Sequence, residues 1–105
     1  MAHHTAEHVV AEVAVEPVAE GGIHGQLITK AVEALGGPEI TVKVGPLSTT
    51  LEGALDDVLH AVGRAHKAIA DSADRIITTV RIESKPAGIG LAEREAKAAG
   101  MGTAL

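Results

Sequence analysis

The sequence predicts an α+β domain in which a four-stranded antiparallel sheet carries two helices on one face. Four stretches alternate apolar and polar residues with period two, and two others repeat their apolar residues every third or fourth position. Their order along the chain is strand, helix, strand, strand, helix, strand. The two central strands are joined so tightly that they must form a hairpin.

The first strand spans Val9 to Val15, with Val9, Ala11, Val13 and Val15 on one face and Val10, Glu12, Ala14 and Glu16 on the other; Pro17 is expected to close it. A loop with Gly21, Gly22 and Gly25 follows. From Gln26 to Leu35 the period changes: Leu27, Ile28, Ala31, Ala34 and Leu35 share a side opposite Thr29, Lys30 and Glu33. Gly36-Gly37-Pro38 ends this helix, because glycine supplies a cap and proline cannot continue the turn.

Ile40 to Val44 is the second strand, with Ile40, Val42 and Val44 inward. Gly45-Pro46 turns the chain into the third, where Leu47, Thr49 and Leu51 face in and Ser48, Thr50 and Glu52 face out. A helix from about Leu55 to Ala73 carries Leu55, Val58, Leu59, Val62, Ala65 and Ile69 on one stripe, and Asp56 and Asp57 suit its N-terminal dipole. Arg75 to Glu83 is the fourth strand: Ile76, Thr78, Val80 and Ile82 lie on one face, Ile77, Thr79, Arg81 and Glu83 on the other.

Two right-handed strand-helix-strand units sharing one antiparallel sheet make a ferredoxin-like βαββαβ sandwich. Residues 1–8 are expected as a disordered N-terminal segment, 9–85 as the domain, and 86–105 as a tail with a short helix over Leu91 to Ala99. The uncovered sheet face carries Glu12, Glu16, Lys43, Glu52, Arg81 and Glu83, too much charge for a dry core.

Composition narrows the function. The 105 residues include no Phe, Tyr, Trp or Cys, so stacking platforms, disulfides and thiol chemistry are excluded. The net charge is -5 and the basic residues are scattered, which argues against nucleic acid. No apolar run approaches the roughly 20 residues of a membrane span. Met1-Ala2-His3-His4 lacks the basic start and apolar core of a signal peptide, pointing to the cytoplasm. A core of aliphatic residues alone gains by burying more surface in a homo-oligomer.

Thr49 and Thr78 stand where aliphatic residues are expected, on strands flanking the first strand from opposite sides. Either each hydroxyl bonds a nearby carbonyl or both face one cavity. His66 lies at the edge of the second helix stripe. His60 is too far round the axis to share a metal with it, since paired helix ligands want a spacing near i, i+4. His3, His4 and His8 form a loose N-terminal cluster. Glu12 and Glu52 occupy neighbouring outward positions, as an acid-base pair or as a surface pair balanced by Lys43 and Arg81.

Val10-Ala11-Glu12-Val13 through Pro17, Pro46-Leu47-Ser48-Thr49-Thr50-Leu51-Glu52-Gly53, Asp57-Val58-Leu59 with Ala65-His66-Lys67-Ala68, and Arg75 through Ile82 resemble the YkoF-like thiamine-binding family. The resemblance covers about residues 9–85. It rests on a P-x-x-T-x-x-E-G strand followed by A-H-x-A and then I-x-T-T-x-x-I. It implies small ferredoxin-like subunits assembled as dimers or tetramers, with no enzymatic activity established for the family as a whole. Some members bind thiamine or its hydroxymethylpyrimidine half between sheet and helices. By position, Thr49 matches the strand threonine, Glu52-Gly53 the E-G pair and His66 the helix histidine. The loop Gly22-Ile23-His24-Gly25 departs from a Ser/Thr-rich entrance common in relatives.

The expected protein is therefore a non-catalytic, cytoplasmic, homo-oligomeric binder of thiamine or a related pyrimidine. Thr49 and Thr78 are its pocket hydroxyls, His66 and His24 its rim, and Leu47 and Leu51 part of an aliphatic sandwich around the ring. Ser48, Thr50, Glu52, Glu12 and Arg81 are assigned to the oligomer interface. No catalytic residue, metal or cofactor is expected. The alternatives are a structural or regulatory homo-oligomer with no ligand, in which Thr49 is core, and a small enzyme working through Glu12 and Glu52.

Overall fold

The computed structural model describes residues 7–18, 25–45 and 47–96. The chain runs through β1 (Val9–Val18), α1 (Gly25–Leu35), β2 (Thr41–Val44), β3 (Thr49–Gly53), α2 (Leu55–Ala68) and β4 (Arg75–Glu83), then a short helix, α3, over 91–96. The four strands form one antiparallel sheet in the order β2-β3-β1-β4, the ferredoxin-like arrangement expected from the order of elements.

Alternation on the strands selects the core face. Val9, Ala11 and Val13 of β1 and Leu51 of β3 are buried against Ala31 and Leu35 of α1 and Val58, Ala61 and Ala65 of α2. Much of this layer is small. The α2 face that meets it runs through Val58, Ala61 and Ala65, about one turn apart, so the helix approaches by its short side chains. Leu59 and Ile28, expected on the apolar stripes, are exposed instead. Their size placed them on the stripe, whereas the helices turn their narrower faces inward.

Three boundaries differ from expectation for local reasons. β1 does not stop before Pro17 but continues to Val18, with Pro17 opposite Ile76. β3 pairs with β1 only from Val9 to Val13, so beyond that point a missing N–H costs no ladder bond on the β3 side. β3 begins at Thr49 because Gly45 N–H donates to the Ser48 carbonyl at 2.8 Å and holds the hairpin turn. Leu47, expected inward, therefore sits in the connection at 93% exposure. α2 ends at Ala68, and the turns that follow are closed by Ala70 N–H to Lys67 and Ser72 N–H to Ile69.

One cation ties the helices together. Arg64 of α2 donates from Nε to the Ala34 carbonyl (3.2 Å) and from Nη2 to those of Leu35 and Gly36 (both 3.3 Å). These are carbonyls that the end of α1 leaves without helical partners, and they lie at its negative pole. Arg64→Ala is expected to lower stability by about 1 kcal/mol, read from the urea midpoint. Arg64→Lys should recover only part of that loss, because one ammonium cannot reproduce the spread of the guanidinium fork.

The outward sheet face is partly covered by the chain's own C-terminal strap, residues 84–96. Glu52 on β3 accepts a hydrogen bond from Leu91 N–H, and its other oxygen lies 3.1 Å from His8 Nε2. Lys43 on β2 bonds Glu95 at 2.6 Å, Lys85 bonds Glu93 at 2.5 Å, and Arg94 lies 3.8 Å from Glu83. Val10, whose outward neighbours across the sheet are Glu52 and Glu83, is buried, as is Ile89 on the strap.

Candidate functional site

The sheet register brings the predicted polar positions into one neighbourhood. Thr49 lies opposite Val13 of β1, and Thr78 lies opposite Val15 on its other side. Val13 and Val15 are successive inward positions of one strand, so the threonines stand diagonally across β1 on the helix-facing side. Both arise from plain alternation on their strands.

His66 completes the group. It stands in the last turn of α2, and its Nδ1 lies 2.7 Å from Thr78 Oγ1 in a partly buried hydrogen bond. Whichever group donates, the other end of the pair is set. If threonine donates, the imidazole keeps Nε2–H as a donor; if Nδ1–H donates, Nε2 is an acceptor and the hydroxyl proton is free. The pair can thus match either a donor or an acceptor on a neighbouring ring. Thr49 is only 4% exposed, and its hydroxyl makes no hydrogen bond with any described residue. Such a group costs roughly 1–3 kcal/mol when left unpaired. Leu51, the next inward residue of β3, is fully buried in the core.

Other predicted positions fall elsewhere. Leu47 is in the hairpin connection, away from this layer, and His24 lies outside the described residues. Ser48 is half-buried beside that connection. Glu12, Thr50 and Arg81 lie on the outward face, where Arg81 and Glu12 are 4.0 Å apart. With Val10, Glu83 and Arg94 they line a cleft of about 190 Å³ between sheet and strap. A second, shallower concavity lies on α1 beside Gln26, Thr29 and Lys30. Neither includes Thr49, Thr78 or His66.

Glu52 faces outward, as its strand's alternation predicts, and is bound by the strap. The Leu91 N–H holds its carboxyl below the ordinary value, burial pushes the other way, and His8 adds to the lowering. An acid-base partner for Glu12 would need a raised pKa on one of the two. Glu52 instead stays ionised and anchors the strap. His8, expected in the disordered N-terminal segment, is its partner. Among the described residues, no three His, Asp or Glu side chains gather as a metal site.

Sheet order, helix placement and the inward polar group together define a ferredoxin-like α+β sandwich. Within that class the chain belongs to the thiamine-binding protein family, whose sequence profile matches residues 11–99. It is 32% identical over 92 residues to the UPF0045 protein MJ1052 of Methanocaldococcus jannaschii, covering 88% of this chain and 92% of that one. The crystal structure of MJ1052 superposes with a TM-score of 0.79 at 31% identity, over 90% of this chain and 97% of that one. A domain of unknown function from Bacillus cereus gives 0.76 at 31% identity, over 87% and 89% of the two chains. The Thermotoga maritima protein TM0486, a candidate thiamine biosynthesis/salvage protein, gives 0.76 at 27% identity, over 86% and 97%.

Proposed function

We propose that the protein is a non-catalytic, cytoplasmic and homo-oligomeric binder of thiamine or its hydroxymethylpyrimidine half. The observation that carries this reading is the His66–Thr78 hydrogen bond on the same inward face as the Thr49 hydroxyl, which has no partner among the described residues. Membership of a thiamine-binding family and likeness to a candidate thiamine salvage protein support it. An aminopyrimidine offers donors and acceptors along one edge, which Thr49, Thr78 and His66 can meet. Val15, Val80 and Leu51 supply aliphatic walls in place of aromatic ones. A cationic thiazolium is favoured by the net charge of -5. Leu47, at the hairpin, takes no part. Ser48, Thr50, Glu12 and Arg81 belong to an oligomer surface.

Calorimetric titration with thiamine and with hydroxymethylpyrimidine tests the site. Thr78→Val and His66→Ala should each weaken binding at least tenfold, in line with the loss of a buried polar partner. Thr49→Val should weaken binding while leaving stability unchanged or raised. Absence of heat at millimolar concentrations of either ligand sinks the reading. A second reading, an oligomer with no small ligand, is favoured by one observation: the two concavities lie away from Thr49. Under it, Thr49→Val raises stability and no ligand shifts the melting temperature.

A further inference from the structure

The outward sheet face holds two arginines whose donors are not yet used. Arg81 lies 4.0 Å from Glu12, and Arg94 lies 3.8 Å from Glu83. Charge-assisted hydrogen bonds close to about 2.7–2.9 Å, so both pairs attract without bonding. Neither guanidinium makes a hydrogen bond with any described residue. By contrast, Lys43 and Lys85 close fully onto Glu95 and Glu93, at 2.6 and 2.5 Å. The glutamates beside Arg81 and Arg94 stand near enough to hold the forks in place and too far to occupy them.

Both arginines open onto the cleft of about 190 Å³ between sheet and strap. The register fixes the groups around it. Thr50, Glu12 and Arg81 lie in one row across β3, β1 and β4, and Val10 and Glu83 lie in the next. Arg94 reaches the same cleft from α3. Two positive and two negative groups therefore line one small space, with Val10 as its apolar floor.

We propose that this cleft binds a small zwitterion of amino-acid size, its carboxylate taken by Arg81 and Arg94 and its ammonium by Glu12 and Glu83. Three features select that class. Planar guanidinium forks with free donors match a carboxylate. The glutamates repel a simple anion and the arginines a simple amine, so a molecule carrying both charges suits the lining best. The volume falls below the roughly 300–1,000 Å³ of drug-sized ligand sites, which suits an amino acid better than a two-ring ligand. All four charged groups come from one chain, so the site needs no second copy to complete it. It lies across the sheet from Thr49, Thr78 and His66, and it stands whether or not a ligand binds there. Arg94 belongs to the strap and Arg81 to the sheet. A bound zwitterion therefore ties the two together beside the Glu52–Leu91 bond.

L-Valine is the probe, titrated into the isotope-labelled full chain. The amide signals of Glu12, Thr50 and Arg81 should shift and saturate. Isovalerate and isobutylamine, each keeping one of the two charges, should bind at least tenfold more weakly. Arg81→Ala and Arg94→Ala should each weaken valine by about tenfold. Glu12→Gln with Glu83→Gln should weaken valine and strengthen isovalerate, a reversal that loss of the fold cannot produce. With valine at about ten times its dissociation constant, hydrogen exchange at Leu91 should slow about tenfold, because opening the strap must then release the ligand. Absence of saturable shifts with valine overturns the proposal. So does equal binding of isovalerate or isobutylamine, an unchanged ratio of valine to isovalerate affinity in the glutamine variant, or unchanged exchange at Leu91. Circular dichroism of each variant checks that the fold is intact.

Discussion

Leu51→Ala is expected to lower the free energy of unfolding by about 3 kcal/mol. The side chain is fully buried at the centre of the sheet, between Ala11 on β1 and Val42 on β2. Around it the layer is assembled from short side chains, with Ala31, Ala61 and Ala65 on the helices above. Alanines cannot swing into a vacated volume, so the cavity stays open and the cost stays near the middle of the usual range for such truncations. Against a total of about 5–15 kcal/mol for a domain, that is a large share. Far-ultraviolet circular dichroism in urea measures it: the midpoint should fall with the slope unchanged. A loss under about 1 kcal/mol would mean that the helices settle onto the sheet and refill the space.

The second large effect concerns Glu52 and the strap. Its side chain is about a quarter exposed, and its carboxylate accepts the Leu91 N–H while also meeting His8. The Leu91 bond lowers its pKa from the ordinary 4.5, partly offset by burial and aided by His8. A carboxyl whose folded-state pKa lies below its unfolded value adds stability that is complete above the unfolded value and fades as pH falls through the lowered one. The strap should therefore hold at neutral pH and loosen in acid below 4.5. The Leu91 amide shift should report the titration by nuclear magnetic resonance. Glu52→Ala should speed hydrogen exchange at Leu91 by about 10- to 100-fold at neutral pH, as loss of a charge-assisted bond requires. Unchanged exchange would show that Ile89 and the Lys43–Glu95 pair hold the strap without it.

Much of the architecture could be read from residue spacing because the strands are regular. Alternation placed Thr78 inward on β4, and the helical period placed His66 at the edge of α2; only their contact needed coordinates. Where size stood in for geometry, the reading failed. Leu47, Leu59 and Ile28 are large and apolar, yet turn closure at Gly45 and Ser48 exposes the first, packing of α2 through Ala61 and Ala65 turns the second out, and packing of α1 through Ala31 and Leu35 the third. Pro17 looked like a terminus because the point at which β1 loses its neighbour on one side is decided by where β3 begins. The strap was hidden for another reason. Its bonds join Glu52 to Leu91 and Lys43 to Glu95, residues with no periodic relation, on a stretch whose own apolar face is weak.

The all-aliphatic core also determines how the molecule looks to light. With no Phe, Tyr, Trp or disulfide, the chain is blank in the near ultraviolet. A pyrimidine or thiazolium chromophore seated beside Thr49 and His66 would be the sole absorber in that window. Its optical activity, induced by the asymmetric walls around it, would then appear against no protein background. The composition that rules out an aromatic clamp thus makes the protein its own spectroscopic blank.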